Sequence, residues 1–77
     1  MRDMQTPAGK LGRRICRLRE SPGRWMEQKD LAALIGMSQS NLSRIERGTV
    51  TLSVDALCKI AQALGTTASQ MLMDVGA

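Results

Sequence analysis

Gln39, Ser40, Ser43, Arg44 and Arg47 fall within the run GMSQSNLSRIERG, between Gly36 and Gly48. Amide, hydroxyl and guanidinium groups are the ones that hydrogen-bond to base edges in the major groove of DNA: Gln to adenine, Arg to guanine, Ser to either. Placed at about 100° per residue on a helix over Gln39–Arg47, Leu42 and Ile45 share the inward side. Ser40 and Arg47 then lie opposite, flanked by Ser43 and Arg44, with Gln39 a little further round and Glu46 off to one side. The outward face gathers hydrogen-bonding groups and two positive charges, with no acid at its centre. A solvated helix surface is the competing reading. Solubility alone is better served by Lys–Glu pairs at i, i+4 than by Ser and Asn, which are poorer helix formers.

Other chemistry has little support. The chain has no His, so no serine here has an imidazole base, and Ser38, Ser40 and Ser43 read better as a cap and surface donors. No glycine-rich phosphate loop is present. Cys16 and Cys58 fall on separate predicted helices, which argues against a zinc site and for semi-buried structural thiols in a reducing compartment. No enzyme, metal or other cofactor is expected.

These side chains must be positioned by a small frame. Seventy-seven residues make one domain. Phe and Tyr are absent, there is one Trp, and Ala, Leu, Ile and Met supply most of the apolar mass, so the expected class is all-α. No apolar stretch reaches the roughly 18–20 residues that cross a bilayer, and MRDMQTPAGK lacks a signal-peptide core; a soluble cytoplasmic protein is the expectation. The net charge of +4 is uneven: residues 1–25 hold seven Lys and Arg against two acids. That layout suits a domain with one positive side toward a polyanion.

Along the chain, residues 1–9 read as a flexible arm before a domain over 10–77. A first helix from Lys10 to about Glu20 carries the stripe Leu11, Ile15, Leu18, with Arg13, Arg14 and Arg17 pointing away from it. Ser21-Pro22-Gly23 ends it. The second helix, Gln28–Ile35, turns Leu31, Leu34 and Ile35 inward, with Trp25 and Met26 as a staple before it. Gly36 stops it, and only Met37 and the cap Ser38 precede the third helix, so residues 28–47 form a helix-turn-helix unit. Ser53 caps a fourth helix to Leu64, buried through Leu57, Ile60, Ala61 and Leu64. Thr67 opens a short fifth helix with Met71, Leu72 and Val75.

LGRRICRLRE, QKDLAALIGMSQSNLSRIERG and LSVDALCKIAQALGTTASQML together resemble the helix-turn-helix family of phage repressors and Cro proteins, the lambda-repressor-like or XRE type. The resemblance spans about residues 10–73 and implies a compact five-helix domain. It implies that Gln39, Ser40 and Arg44, with Ser43 close by, read bases. It further implies that Gln28 and Arg47 touch phosphates and that Arg19 and Glu46 form an ion pair tying helix 1 to helix 3. Three departures stand out, the first being the longer turn Ser21-Pro22-Gly23-Arg24-Trp25 between helices 1 and 2. Glu27 replaces the usual Ser or Thr cap of helix 2, and the loop after Gly48 lacks Lys or Arg, leaving Thr49 and Thr51 to reach phosphates.

One such domain covers a half-site, so the expected partner is double-stranded DNA, bound by a homodimer at a near-palindromic operator. Met71, Leu72, Met73 and Val75 are the expected dimer contact, with completion of the monomer core as the alternative for Met71 and Leu72. The function implied is sequence-specific transcriptional regulation, most simply repression. A second use is an antitoxin or controller that regulates its own operon and binds a partner protein such as a toxin. A third, from another class, is a protein-interaction module without DNA binding.

Overall fold

The structure is a computed structural model that describes residues 6–23 and 25–75, the last two as backbone only. Five helices follow in order: α1 (Pro7–Arg19), α2 (Gln28–Ile35), α3 (Gln39–Glu46), α4 (Val54–Ala63) and α5 (Ala68–Val75). The described residues contain no strand, and no helix among them is long and apolar enough to cross a membrane.

α1 begins three residues before the apolar stripe predicts. The Thr6 hydroxyl accepts from the Gly9 amide at 3.0 Å, and Pro7 supplies a fixed φ at the first helical position. Cap chemistry, not the apolar stripe, sets this start. Residues 7–9 of the expected arm are therefore helical, and residues 1–5 lie outside the described residues.

Leu11, Ile15, Leu31, Ala32, Leu42, Ile45, Leu57, Ile60, Ala61, Leu64 and Met71 form one core. α1 packs against α3 and α5, while α2 packs against α3 and α4. α3 is too short and polar to persist alone. Its buried Leu42 and Ile45, at about 1.5–3 kcal/mol each, hold it to the domain. Ser53 and Thr67 cap α4 and α5 as expected, accepting from Ala56 and Gln70 amides at 3.1 Å.

Two inward expectations fail. Leu34 is 65 % exposed, because α2 turns Leu31 and the small Ala32 toward the core, which rotates Leu34 out. Trp25 is 61 % exposed, and only Met26 packs on the core ahead of α2. Met71 is fully enclosed by its own chain, so it completes the monomer core and is no dimer contact.

Candidate nucleic-acid interface

The turn between α2 and α3 fixes where α3 points. Gly36 adopts φ +71°, a left-handed conformation that a glycine takes without a Cβ penalty. Its amide donates to the Ala33 carbonyl at 3.3 Å and the Met37 amide donates to that of Ala32 at 2.9 Å, closing α2. The Ser38 hydroxyl then accepts from the Asn41 amide at 3.1 Å and opens α3.

Gln39, Ser40, Arg44 and Arg47 are exposed on α3 and Ser43 is half-buried, so the five side chains gathered by the sequence share one surface. Arg47 caps the helix end. Thr49 does less than expected. Its hydroxyl donates to the Arg44 carbonyl at 3.1 Å, beside its own amide at 3.0 Å, so its proton is committed to closing α3. Thr51 is exposed in the loop that follows.

Behind this surface stands a buried brace. Arg19 Nε donates to Glu46 Oε2 at 2.8 Å and Nη2 to Oε1 at 3.0 Å, a two-point contact between side chains 7 % and 5 % exposed. Arg19 Nη1 donates to the Met26 carbonyl at 2.9 Å, and the Met26 amide donates to the Arg19 carbonyl at 2.9 Å. One side chain thereby ties α1, the turn before α2 and α3. The bond to Glu46 raises the Arg19 pKa, outweighing the opposing effect of burial. Cys16 Sγ lies 3.7 Å from Arg19 Nη2. Burial raises its thiol pKa, and the nearby Glu46 and Glu20 carboxylates add to that, so Cys16 stays protonated at neutral pH.

Gln28 is not a free phosphate ligand in this arrangement. Its Nε2 donates to Glu46 Oε1 at 3.0 Å, and its Oε1 accepts from Gln39 Nε2 at 3.5 Å. The brace therefore continues to the first side chain of the outward face, leaving Gln28 one amide hydrogen. Glu27 precedes α2 without a side-chain cap bond, so nothing local to that end orients Gln28 except this network.

Sequence reasoning missed two glycines that set the α1–α3 contact. A Cβ on Gly12 would overlap the Ile45 carbonyl oxygen and come within 2.8 Å of that of Glu46, so α1 crosses α3 backbone to backbone. Gly48, at φ +74°, sits against Gly9, whose Cα would lie 2.5 Å from an added Cβ. The signal was present: a glycine on the apolar side of a helix marks a close approach.

Leu72 and Met73, expected at a dimer contact, are 46 % and 67 % exposed; the side chain of Val75 lies outside the described residues. Cys58 is exposed, not semi-buried, and no metal-binding cluster occurs among the described residues.

No curated protein sequence matches the chain. Solved structures do. The clp gene regulator ClgR from Corynebacterium glutamicum superposes with a TM-score of 0.83 at 26% identity, covering 91% of this chain and 72% of that one. A second structure of that regulator gives 0.82 at 26% identity, with 91% and 87% covered. The restriction-modification controller protein C.AhdI from Aeromonas hydrophila gives 0.75 at 31% identity, with 83% and 90% covered. These similar proteins are a gene regulator and a controller protein, and their structures superpose on the five-helix fold described above. A family pattern described as a helix-turn-helix domain matches residues 10–72, most of the sequence, and the chain belongs to that helix-turn-helix family of transcription regulators.

Proposed function

We propose that the protein is a sequence-specific DNA-binding regulator that acts as a homodimer on a near-palindromic operator, with α3 in the major groove. One observation carries this reading: Gln39, Ser40 and Arg44 are displayed together on a short helix that the Arg19–Glu46 pair and Gln28 hold from behind. Ordering such a surface before binding lowers the entropic cost of recognition. Gln39, Ser40, Ser43 and Arg44 contact bases; Arg47 and Thr51 contact phosphates. Gln28 uses its remaining amide hydrogen for a phosphate, while Thr49, with both its donors on the Arg44 carbonyl, has none left for one. Leu72 and Met73 carry the dimer contact at the exposed side of α5. A dimer that occludes a promoter represses, which is the simplest outcome for a domain of this size.

A controller role, with regulation of its own operon and a partner protein encoded beside it, is the second reading. It is favoured by the 31% identity to a restriction-modification controller over most of both chains.

Random-site selection followed by gel shift decides the main point. Enrichment of a two-fold related motif with half-sites about one DNA turn apart supports the dimer reading. Recovery of no motif overturns DNA recognition and favours a protein-interaction module. Sedimentation that shows only monomer, free and on DNA, overturns the dimer.

A further inference from the structure

The recognition surface uses little of the positive charge on this chain. Arg44 and Arg47 are its two cations, yet seven of the eleven Lys and Arg residues fall in the first 25 positions. In α1 the cations Lys10, Arg13, Arg14 and Arg17 follow i, i+3, i+4, i+7 spacing, which is one face of a helix. Lys10, Arg13 and Arg17 are exposed; Arg14 is half-buried and already engaged. Among the described residues, none of the three exposed cations forms an ion pair.

This stripe is separate from the recognition surface. α1 turns Leu11, Gly12, Ile15 and Arg19 inward, and Gly12 lies on the α3 backbone. At about 100° per residue, Arg13 and Arg17 lie about 100–140° round the α1 axis from Gly12, turned away from α3. A straight duplex seated on Gln39 and Arg44 meets α3, not this side of α1.

We infer that the outer face of α1 is a second DNA-backbone surface, which holds a stretch of duplex other than the one read by α3. The inference rests on the proposed DNA-binding function but not on which bases are read. Three features favour phosphate as the occupant. Two of the three free cations are arginines, whose planar fork suits bidentate phosphate contact. Between Lys10 and Arg17 no acid interrupts the stripe, and Glu20 just beyond it pairs with Arg19 at 3.5 Å, whereas an ordinary solvated helix intersperses both signs. Lys10 to Arg17 also spans about 10 Å of helix axis, a length facing several phosphates on a duplex bearing one charge per about 1.7 Å. The consequence is bridging: a bound regulator captures a second segment without sequence preference.

The test uses the full chain on a selected operator duplex fixed to beads, with a labelled operator-free duplex in solution. Wild-type protein is expected to retain the labelled duplex. The variant Arg13→Gln/Arg17→Gln is expected to retain about tenfold less at moderate salt, with the salt slope of capture reduced by about two. Its operator affinity, read by anisotropy, stays within about twofold. Both positions are exposed, and circular dichroism confirms the fold. Absence of capture by wild type, or equal capture by the variant, overturns the inference. Displacement by poly-L-glutamate as effective as by duplex DNA also overturns it, in favour of an acidic protein partner. If no operator is selected, the α3 reading fails while this one stays testable. Anisotropy with a duplex of arbitrary sequence then shows weaker binding in the double variant, and unchanged binding refutes the α1 surface.

Discussion

Gln28 Nε2 donates to Glu46 Oε1 at 3.0 Å, which couples the first residue of α2 to the last residue of α3. With its nitrogen held by a carboxylate, Gln28 must turn its carbonyl oxygen outward, where Gln39 Nε2 donates to it at 3.5 Å. That fixes which end of the Gln39 amide is engaged by protein. Gln39 keeps its own carbonyl and one N–H for a base, the complement of the adenine edge. Gln28→Ala removes the orienting contact and leaves α3 packed. The expected result is a loss of preference at the base pair facing Gln39, with a smaller change in overall affinity, read by repeating site selection with the variant. Unchanged preference at every position means that Gln39 orients itself.

The Arg19–Glu46 pair makes a separate claim about stability. Removing one partner of a buried pair costs about 3–5 kcal/mol, because the survivor is left charged without water or counter-ion. Domains of this size have about 5–15 kcal/mol in total. Glu46→Ala and Arg19→Ala are therefore each expected to lower the urea midpoint severely. Arg19→Ala/Glu46→Ala should lose less than the two single changes added together, since neither charge remains. Additive losses in a double-mutant cycle contradict coupling through the pair.

Much of the fold was legible because capping and apolar spacing are local. Ser38, Ser53 and Thr67 open helices where the sequence places them, and Gly36 closes α2. The outward face of α3 was legible for the same reason: eight residues with two apolar anchors leave little choice of which side is buried. Tertiary choices were not legible. Leu34 and Ala32 are both compatible with an inward face, and the crossing of α2 over its neighbours selects the smaller one. Met71 looks surplus in sequence, yet α1 and α4 leave a space at the end of the core that it fills. The link from Gln28 to Glu46 spans 18 positions, and no local pattern encodes it.

Gly12 supplies a third prediction. A methyl group there meets the carbonyl oxygens of Ile45 and Glu46, backbone atoms at the end of α3 that cannot swing aside. Gly12→Ala favours an isolated helix by up to about 1 kcal/mol but is expected to cost about 1–3 kcal/mol net through overpacking. The displaced α3 should also weaken operator binding in protein that remains folded. Thermal unfolding and anisotropy measure the two effects. A gain in stability contradicts the close crossing.

The two thiols should differ in reactivity. Cys58 is exposed, while Cys16 is half-buried and its pKa is raised by burial and by Glu46 and Glu20. Alkylation at mildly alkaline pH is expected to modify Cys58 first, followed by mass spectrometry of the intact chain and its peptides. Because the folded state raises the Cys16 pKa, unfolding releases its proton more readily. The associated stability is full at neutral pH and declines as pH rises through the alkaline range. Faster labelling of Cys16 contradicts its placement beside the ion pair.

Arg44 and Arg47 lie on one face but are assigned different tasks, and the difference is measurable. Arg44 is one turn inside α3, among Ser40 and Ser43, where the proposed docking of α3 puts a guanidinium at base edges. Arg47 sits at the helix end next to the turn of Gly48, where the proposed docking of α3 brings the chain to the DNA backbone. Arg44→Ala should cost about 1–3 kcal/mol on the preferred operator and little on unrelated DNA, relaxing one position in each half-site. Arg47→Ala should weaken all sequences alike and reduce the salt slope by about one per bound domain. Site selection and salt titration of both variants keep the assignments apart. A changed base preference in Arg47→Ala, or a uniform loss in Arg44→Ala, means the roles are exchanged and α3 lies in the groove in a different register.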